Sequence, residues 1–153
     1  MNVDRSPSGL LRAFYRFPIL IYRARLGVLL GGRFLMLTHV GRSSGLLRYV
    51  VLEVVKQEAR QWHVAAAYGD HADWLRNVRV HPQVTVDHRG HRTPAVAREL
   101  PIAEGAEILS EYALRHPRAA GQLGRLMGVP IDRDPDAAAA KIPIVRLVVE
   151  DRS

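Results

Sequence analysis

Phe34–Val40 and Tyr49–Val55 are two apolar, strand-like runs, and the short segment Gly41-Arg42-Ser43-Ser44-Gly45 interrupts them. Strands joined by so short a turn pair antiparallel, because a parallel pair needs a crossover of a dozen or more residues. This commits the early part of the chain to a β-hairpin. The turn also carries chemistry. From Gly41 to Arg48 it gathers two glycines, two hydroxyls and two arginines. Glycine lets the backbone turn sharply and come close to a ligand. Backbone amides, hydroxyls and guanidinium groups are what a phosphate needs. Two readings are open at this point: a hairpin that merely turns, and one that holds an anionic cofactor.

The rest of the chain extends the β pattern. Met1–Gly9 reads as a polar, flexible start, and Leu10–Leu30 as an amphipathic helix kinked near Pro18 and ended by Gly31-Gly32. Arg12, Arg16 and Arg23 share one face of it, either solvated or laid on a membrane surface. Strands are expected at Arg33–Val40, Arg48–Lys56 and Gln61–Tyr68. The alanines of that third strand leave room for a close approach by a ligand or a packed helix. Ala72–Val80 reads as a short helix. Gln83–His88 alternates as a strand, Arg89-Gly90 is a hairpin turn, and His91–Leu100 returns, with Pro94 suggesting an edge or a bulge. Helices follow at Ile102–Arg115 and Arg118–Met127. A loop at Val129–Asp136, a helix-prone linker at Ala137–Ala140 and a last strand at Ile142–Val149 complete the chain. About six antiparallel strands with flanking helices predict a small, mainly β α+β barrel, with residues 10–150 as one domain.

Composition narrows the chemistry. The 153 residues contain no cysteine, which excludes disulfides, thiol catalysis and zinc–thiolate sites. The formal charge is +7 and the pI about 10.5, with only Lys56 and Lys141 as lysines. An arginine-rich cation favours phosphorylated ligands, nucleic acid or an anionic membrane; codon bias is the bland alternative. Nucleic acid is disfavoured, because aromatic and basic residues do not interleave on any strand. No segment offers roughly 20 largely apolar residues for a membrane span, and no secretory signal is evident. A cytoplasmic location follows, with peripheral contact at the membrane's inner face if the first helix touches lipid.

Gly41–Gly45 formally matches G-x-S-x-G, but that elbow needs a helix after the turn, and a β-rich run follows here. Its glycine spacing fits neither a Walker loop nor a dinucleotide fingerprint. The seven histidines, His39, His63, His71, His81, His88, His91 and His116, are scattered without metal-ligand spacing, so no metal site is expected. Trp74 and Asn77, three apart, share a helical face. They read either as a core anchor and its neighbour, or as a stack and a polar contact for a flat heterocycle.

Three segments in this order resemble the deazaflavin-dependent nitroreductase family, also called coenzyme F-420H2-dependent quinone reductases. LTHVGRSSGLLR is similar to that family's L-T-T-x-G-R-K-S-G-x-x-R. ADWLRNVRVHPQVTV is similar to its W-Y-x-N-L-x-A-N-P-x-V-x-V, and a terminal IPIV completes the set. The resemblance spans roughly Phe17–Val149. It implies a split β-barrel related to flavin-binding pyridoxamine-oxidase-like proteins, binding coenzyme F-420, an 8-hydroxy-5-deazaflavin. It places the coenzyme's phosphate and acidic tail on Arg42, Ser43, Ser44, Gly45 and Arg48. It sets Val51 and Leu52 where the backbone meets the deazaflavin, and Ala66, Ala67 and Tyr68 on the strand flooring the pocket, with Trp74 and Asn77 after it.

The implied activity is hydride transfer to a quinone, enone, nitro compound or similar electron-poor acceptor. The cofactor carries that chemistry, which agrees with the lack of a catalytic triad. Tyr68 and Tyr112 are the candidate proton donors. Two departures stand out. Ser43 replaces the family's lysine. The stretch His116–Gln122 lacks the tyrosines of nitroimidazole-activating relatives. The alternative is a non-catalytic module of the same barrel holding a flavin such as FMN, a deazaflavin or haem. Small barrels of this kind often form homodimers.

Overall fold

A computed structural model describes residues 32–151. The polar start expected at 1–9 and the helix expected at 10–30 lie outside the described residues. Six strands run in chain order: β1 (Phe34–Val40), β2 (Leu47–Glu58), β3 (Gln61–Ala65), β4 (Gln83–His88), β5 (His91–Glu99) and β6 (Ile144–Val149). Four helices accompany them: α1 (Asp73–Val80), α2 (Ile102–Arg115), α3 (Pro117–Met127) and α4 (Pro135–Lys141). Every strand pairs antiparallel with its neighbours in the order β1-β2-β3-β6-β5-β4, and β4 returns to β1 to close the barrel.

The barrel closes around side chains that alternate along each strand, as the period of two requires. Leu35 and Leu37 of β1, Val84 and Val86 of β4, Ala95 and Ala97 of β5, and Val145 and Leu147 of β6 all point into one buried core. Helix α1 plugs an end of this barrel, because Trp74, Leu75 and Val78 fall on one face and join the same core. A second core lies outside. Val55 and Ile144 turn away from the barrel and meet Ile108, Leu109 and Tyr112 of α2, together with Ile131, Ala138 and Ile142. A register shift between Val54 and Lys56 bends β2 at this layer.

Most expected elements form, with differences in detail; the last strand begins at Ile144 and not Ile142, because the Ile142 N–H still closes helix α4 on the Ala138 carbonyl. The third strand stops at Ala65, so Ala66, Ala67 and Tyr68 do not lie on a strand. The Ala66 N–H is instead taken by the Pro143 carbonyl, and a 3-10 turn at Gly69–His71 redirects the chain. Gly69 adopts φ +59°, and a Cβ there would sit 2.8 Å from the Lys141 carbonyl oxygen, so the site requires glycine. Pro94 marks neither a free edge nor a bulge. The barrel has no free edge, and pairing of β5 with β6 begins one residue later, at Ala95. The Ala137–Ala140 linker is part of helix α4, which Asp134 starts by accepting from the Ala137 N–H. Finally, the helix expected at Arg118 begins at Pro117, whose fixed φ suits a first helical position.

Two buried polar groups complete the barrel interior. The Trp62 Nε1–H donates to His88 Nδ1 at 3.1 Å, so His88 carries its proton on Nε2 and donates it to the Gly32 carbonyl at 3.0 Å. Trp62→Phe keeps the ring but strands the His88 acceptor in the core. It should destabilise the protein by about 1–3 kcal/mol, read as a lower urea midpoint at unchanged slope.

Candidate functional site

The turn between β1 and β2 is built by its own backbone. Gly41 N–H donates to the Leu46 carbonyl at 2.8 Å, and Gly45 N–H to the Gly41 carbonyl at 2.9 Å. Gly45 sits at φ +70°, a conformation glycine adopts without strain. The Ser44 hydroxyl accepts from the Leu46 N–H at 3.2 Å and lies 2.5 Å from where a Cβ on Gly41 would stand. A side chain at Gly41 would therefore displace Ser44. These bonds leave the Ser43 and Ser44 backbone amides without a backbone partner among the described residues. Arg42 through Tyr49 are all exposed.

Helix α1 holds this turn from behind. Asn77 is 4% exposed, and its side-chain oxygen accepts from both the Arg42 N–H at 3.0 Å and Arg42 Nη1 at 2.9 Å. Arg42 Nη2 reaches Asp73 at 3.4 Å. With the Asn77 oxygen so engaged, its amide nitrogen faces His39 Nδ1 at 3.1 Å. His39 must then accept, which places its own proton on Nε2. Burial first, and then the Arg48 charge, hold the His39 imidazole down at about 4, against a smaller pull from Asp73. The imidazole is thus neutral at ordinary pH. Arg48, directly across the ladder from His39, forms no hydrogen bond or ion pair among the described residues.

The two arginines are therefore not equivalent. Two of Arg42's five N–H donors are spent on α1, and Arg48 keeps all of its own. Two arginines, two serine hydroxyls and two unengaged backbone amides form a donor set that suits a phosphate or a carboxylate tail.

The other expected site residues are placed as follows. Leu52 points into the barrel core, and Val51, also buried, points to the opposite face, so the two present only backbone to a common side. Ala66 is fully buried in the barrel core, and Ala67 and Tyr68 are half-buried beyond the end of β3. Trp74, 6% exposed, is packed in that core too. Tyr112 is remote from the turn. It is 1% exposed, and its hydroxyl donates to Glu53 at 2.7 Å. Glu53 lies opposite Phe34, at the far end of the β1–β2 ladder and roughly 20 Å from the turn. Burial, and then the bond to Glu53, push the Tyr112 hydroxyl above its ordinary range. An open depression of about 570 Å³ lies near that end, lined by Arg33, His116, Pro117, Arg118, Ala119 and Gln122.

The sequence alone assigns no role to His39 or Asp73. The alternation Leu35, Leu37, His39 already places the histidine on the inward face, and that signal was available. Its partner depends on how α1 docks, and no local pattern reveals that.

Comparison with known proteins adds the following. A family model described as F420H(2)-dependent quinone reductase matches residues 16–130. No curated protein matches the chain significantly. Among solved structures, an F420-H2 dependent reductase, FDR-A, is similar at 25% identity and TM-score 0.56, over 75% of this chain and 93% of that one. A chain described as a domain-swapped dimer is similar at 23% identity and TM-score 0.55, over 85% and 98%. The haem storage protein HutZ from Vibrio cholerae is similar at 16% identity and TM-score 0.56, over 86% and 90%. The fold is the pyridoxamine-oxidase-like split barrel.

The buried imidazole has a measurable consequence. Its folded value lies below the ordinary 6.5. As pH falls from about 6.5 toward 4, the unfolded chain binds a proton that the folded chain refuses. Stability is therefore lost over this window, at up to about 1.4 kcal/mol per pH unit from this group. His63, also lowered by burial and by Arg146, adds to the same trend. Denaturant midpoints measured from pH 7 to 4 should fall less steeply in His39→Gln than in the wild type.

Proposed function

Because the chain belongs to the F420H(2)-dependent quinone reductase family, we propose that its Gly41–Gly45 turn and Arg48 hold the phosphate and acidic tail of coenzyme F-420. The observation that carries this reading is the turn itself: an exposed cluster of donors, with Arg48 unpaired among the described residues, built on a glycine that cannot take a side chain undisturbed. The family implies this coenzyme, and the residues present fit its anionic end. Ser43, neutral where the family pattern has lysine, leaves the charge to Arg42 and Arg48. Ser43 contributes a hydroxyl instead.

When bound, reduced deazaflavin supplies a hydride, and the protein need not supply a nucleophile. The chain's own residues then bind and orient. Arg48 meets the tail as a free fork. Arg42, braced by Asn77 and Asp73, presents its remaining donors in a fixed direction. Backbone along Val51 and Leu52 would hold the ring. Leu46 and Leu47, 61% and 60% exposed, form an apolar lip next to these cations. Such a lip suits a flat, electron-poor acceptor: a quinone, an enone or a nitro compound. Ala67 and Tyr68, beyond β3, are assigned to the coenzyme as well, and so are Ala66 and Trp74, which lie in the barrel core. Tyr68 remains a candidate proton donor; Tyr112 is remote from the turn, and its hydroxyl donates to Glu53. A homodimer and contact of residues 10–30 with a membrane surface belong to the proposal as well. No described helix is long and apolar enough to cross a membrane.

Titration with oxidised coenzyme F-420, followed by its fluorescence, tests the assignment. Micromolar binding is expected, with FMN binding at least tenfold weaker. Preference for FMN or haem, or binding without hydride transfer to menadione, would favour the non-catalytic reading. Arg48→Ala should weaken coenzyme binding by about 10- to 100-fold, the equivalent of one charge-assisted hydrogen bond, with the urea midpoint unchanged.

A further inference from the structure

We propose that His39 is a positioning residue for the anion-binding turn: as a neutral acceptor it fixes the Asn77 amide, and through it the backbone and guanidinium of Arg42. The inference rests on the assignment of the coenzyme tail to this turn, and it adds a residue that touches no ligand.

An asparagine leaves one choice open. The two ends of its amide are nearly the same shape but opposite in hydrogen bonding. With oxygen toward Arg42, Asn77 accepts two bonds, at 3.0 and 2.9 Å. With nitrogen toward Arg42, two donors would face a donor, and the turn would lose its tether. The group behind Asn77 therefore decides. His39 Nδ1 lies 3.1 Å from the Asn77 amide nitrogen, in a site where both residues are 4% exposed. Little water reaches them to substitute for the histidine. An acceptor at His39 requires the nitrogen on its side and so the oxygen on the other.

The charges around the histidine protect this state. Arg48 faces it from β2, Arg42 lies beyond Asn77 at the turn, and Asp73 is the acidic group on α1. Burial and the Arg48 charge outweigh the pull of Asp73 and oppose a positive charge on the imidazole. The neutral acceptor that Asn77 needs is thus favoured by Arg48, an arginine also assigned to the tail.

His39→Leu removes the acceptor, and His39→Gln restores one. Two readouts separate this proposal from the functional assignment. The first needs no ligand: hydrogen exchange of the Arg42 backbone amide in the full-length protein. The amide sits in an exposed turn and owes its protection to Asn77. Protection should fall at least tenfold in His39→Leu and return in His39→Gln, while the amides of Leu35 and Leu37 keep theirs. The second is the ratio of dissociation constants for coenzyme F-420 and for the deazaflavin riboside that lacks the phosphate tail. That ratio should shift about tenfold against the coenzyme in His39→Leu and recover in His39→Gln. Unchanged Arg42 protection in His39→Leu would overturn the proposal. So would equal losses for coenzyme and riboside, which would mark a general packing defect. If His39→Leu fails to fold, His39→Gln decides alone: loss of Arg42 protection there would overturn it, and retention would support it. Failure of the wild type to bind the coenzyme, with the exchange pattern as expected, would reject the functional assignment and leave the positioning role intact.

Discussion

Asn77 is the joint on which the site depends. It lies buried where β1, the turn and α1 meet, and both ends of its amide need partners there. Leaving one end unmet would cost about 1–3 kcal/mol. The three elements therefore cannot shift independently. Beside it on α1, Trp74, Leu75 and Val78 are locked into the barrel core. Packing in the closed barrel thus reaches an exposed turn through a single side chain. A turn that would otherwise flex with solvent is held by the least compressible part of the molecule.

That coupling explains how exposed arginines can still be directional. A guanidinium on a loose loop loses considerable side-chain entropy when it captures an anion. Arg42 has given up much of that freedom already, to Asn77 and Asp73. Arg48 has not. The pair therefore offers one pre-oriented fork and one adaptable fork. This arrangement bears on the family's missing lysine. At position 43 a lysine would add a flexible point charge; here the hydroxyl adds none, and orientation of the two arginines matters more.

Much of the barrel is legible in the sequence, and the reasons are local. Gln83–His88 alternates strictly, and Arg89-Gly90 supplies a two-residue turn with both residues at positive φ, so the first strand and the turn of that hairpin are read to the residue. The third strand is misread because QWHVAAAY stays apolar past its end. Ala66 is apolar because it fills the core, and the strand stops because a carbonyl at Pro143, far along the chain, takes its N–H. The same contrast holds at the site. The glycines, serines and arginines of the turn are visible as a donor cluster. Asn77 is visible too, as a neighbour of Trp74 on one helical face. Its link to His39 and Arg42 is not, since it depends on how α1 lands on the barrel. Tyr112 illustrates the converse: a tyrosine at helical spacing looks available for chemistry, and only the folded chain shows its hydroxyl bonded to Glu53.

The strand order carries one more consequence. β6 is made last among the six strands, yet it sits between β3 and β5. While the chain is being synthesised, β3 and β5 emerge early and wait, each with a row of unsatisfied amides and carbonyls, through the making of α2, α3 and α4. Such rows are templates for strands from other molecules. The interval before Ile144–Val149 emerges is therefore when a nascent chain is most exposed to pairing with a second copy of itself.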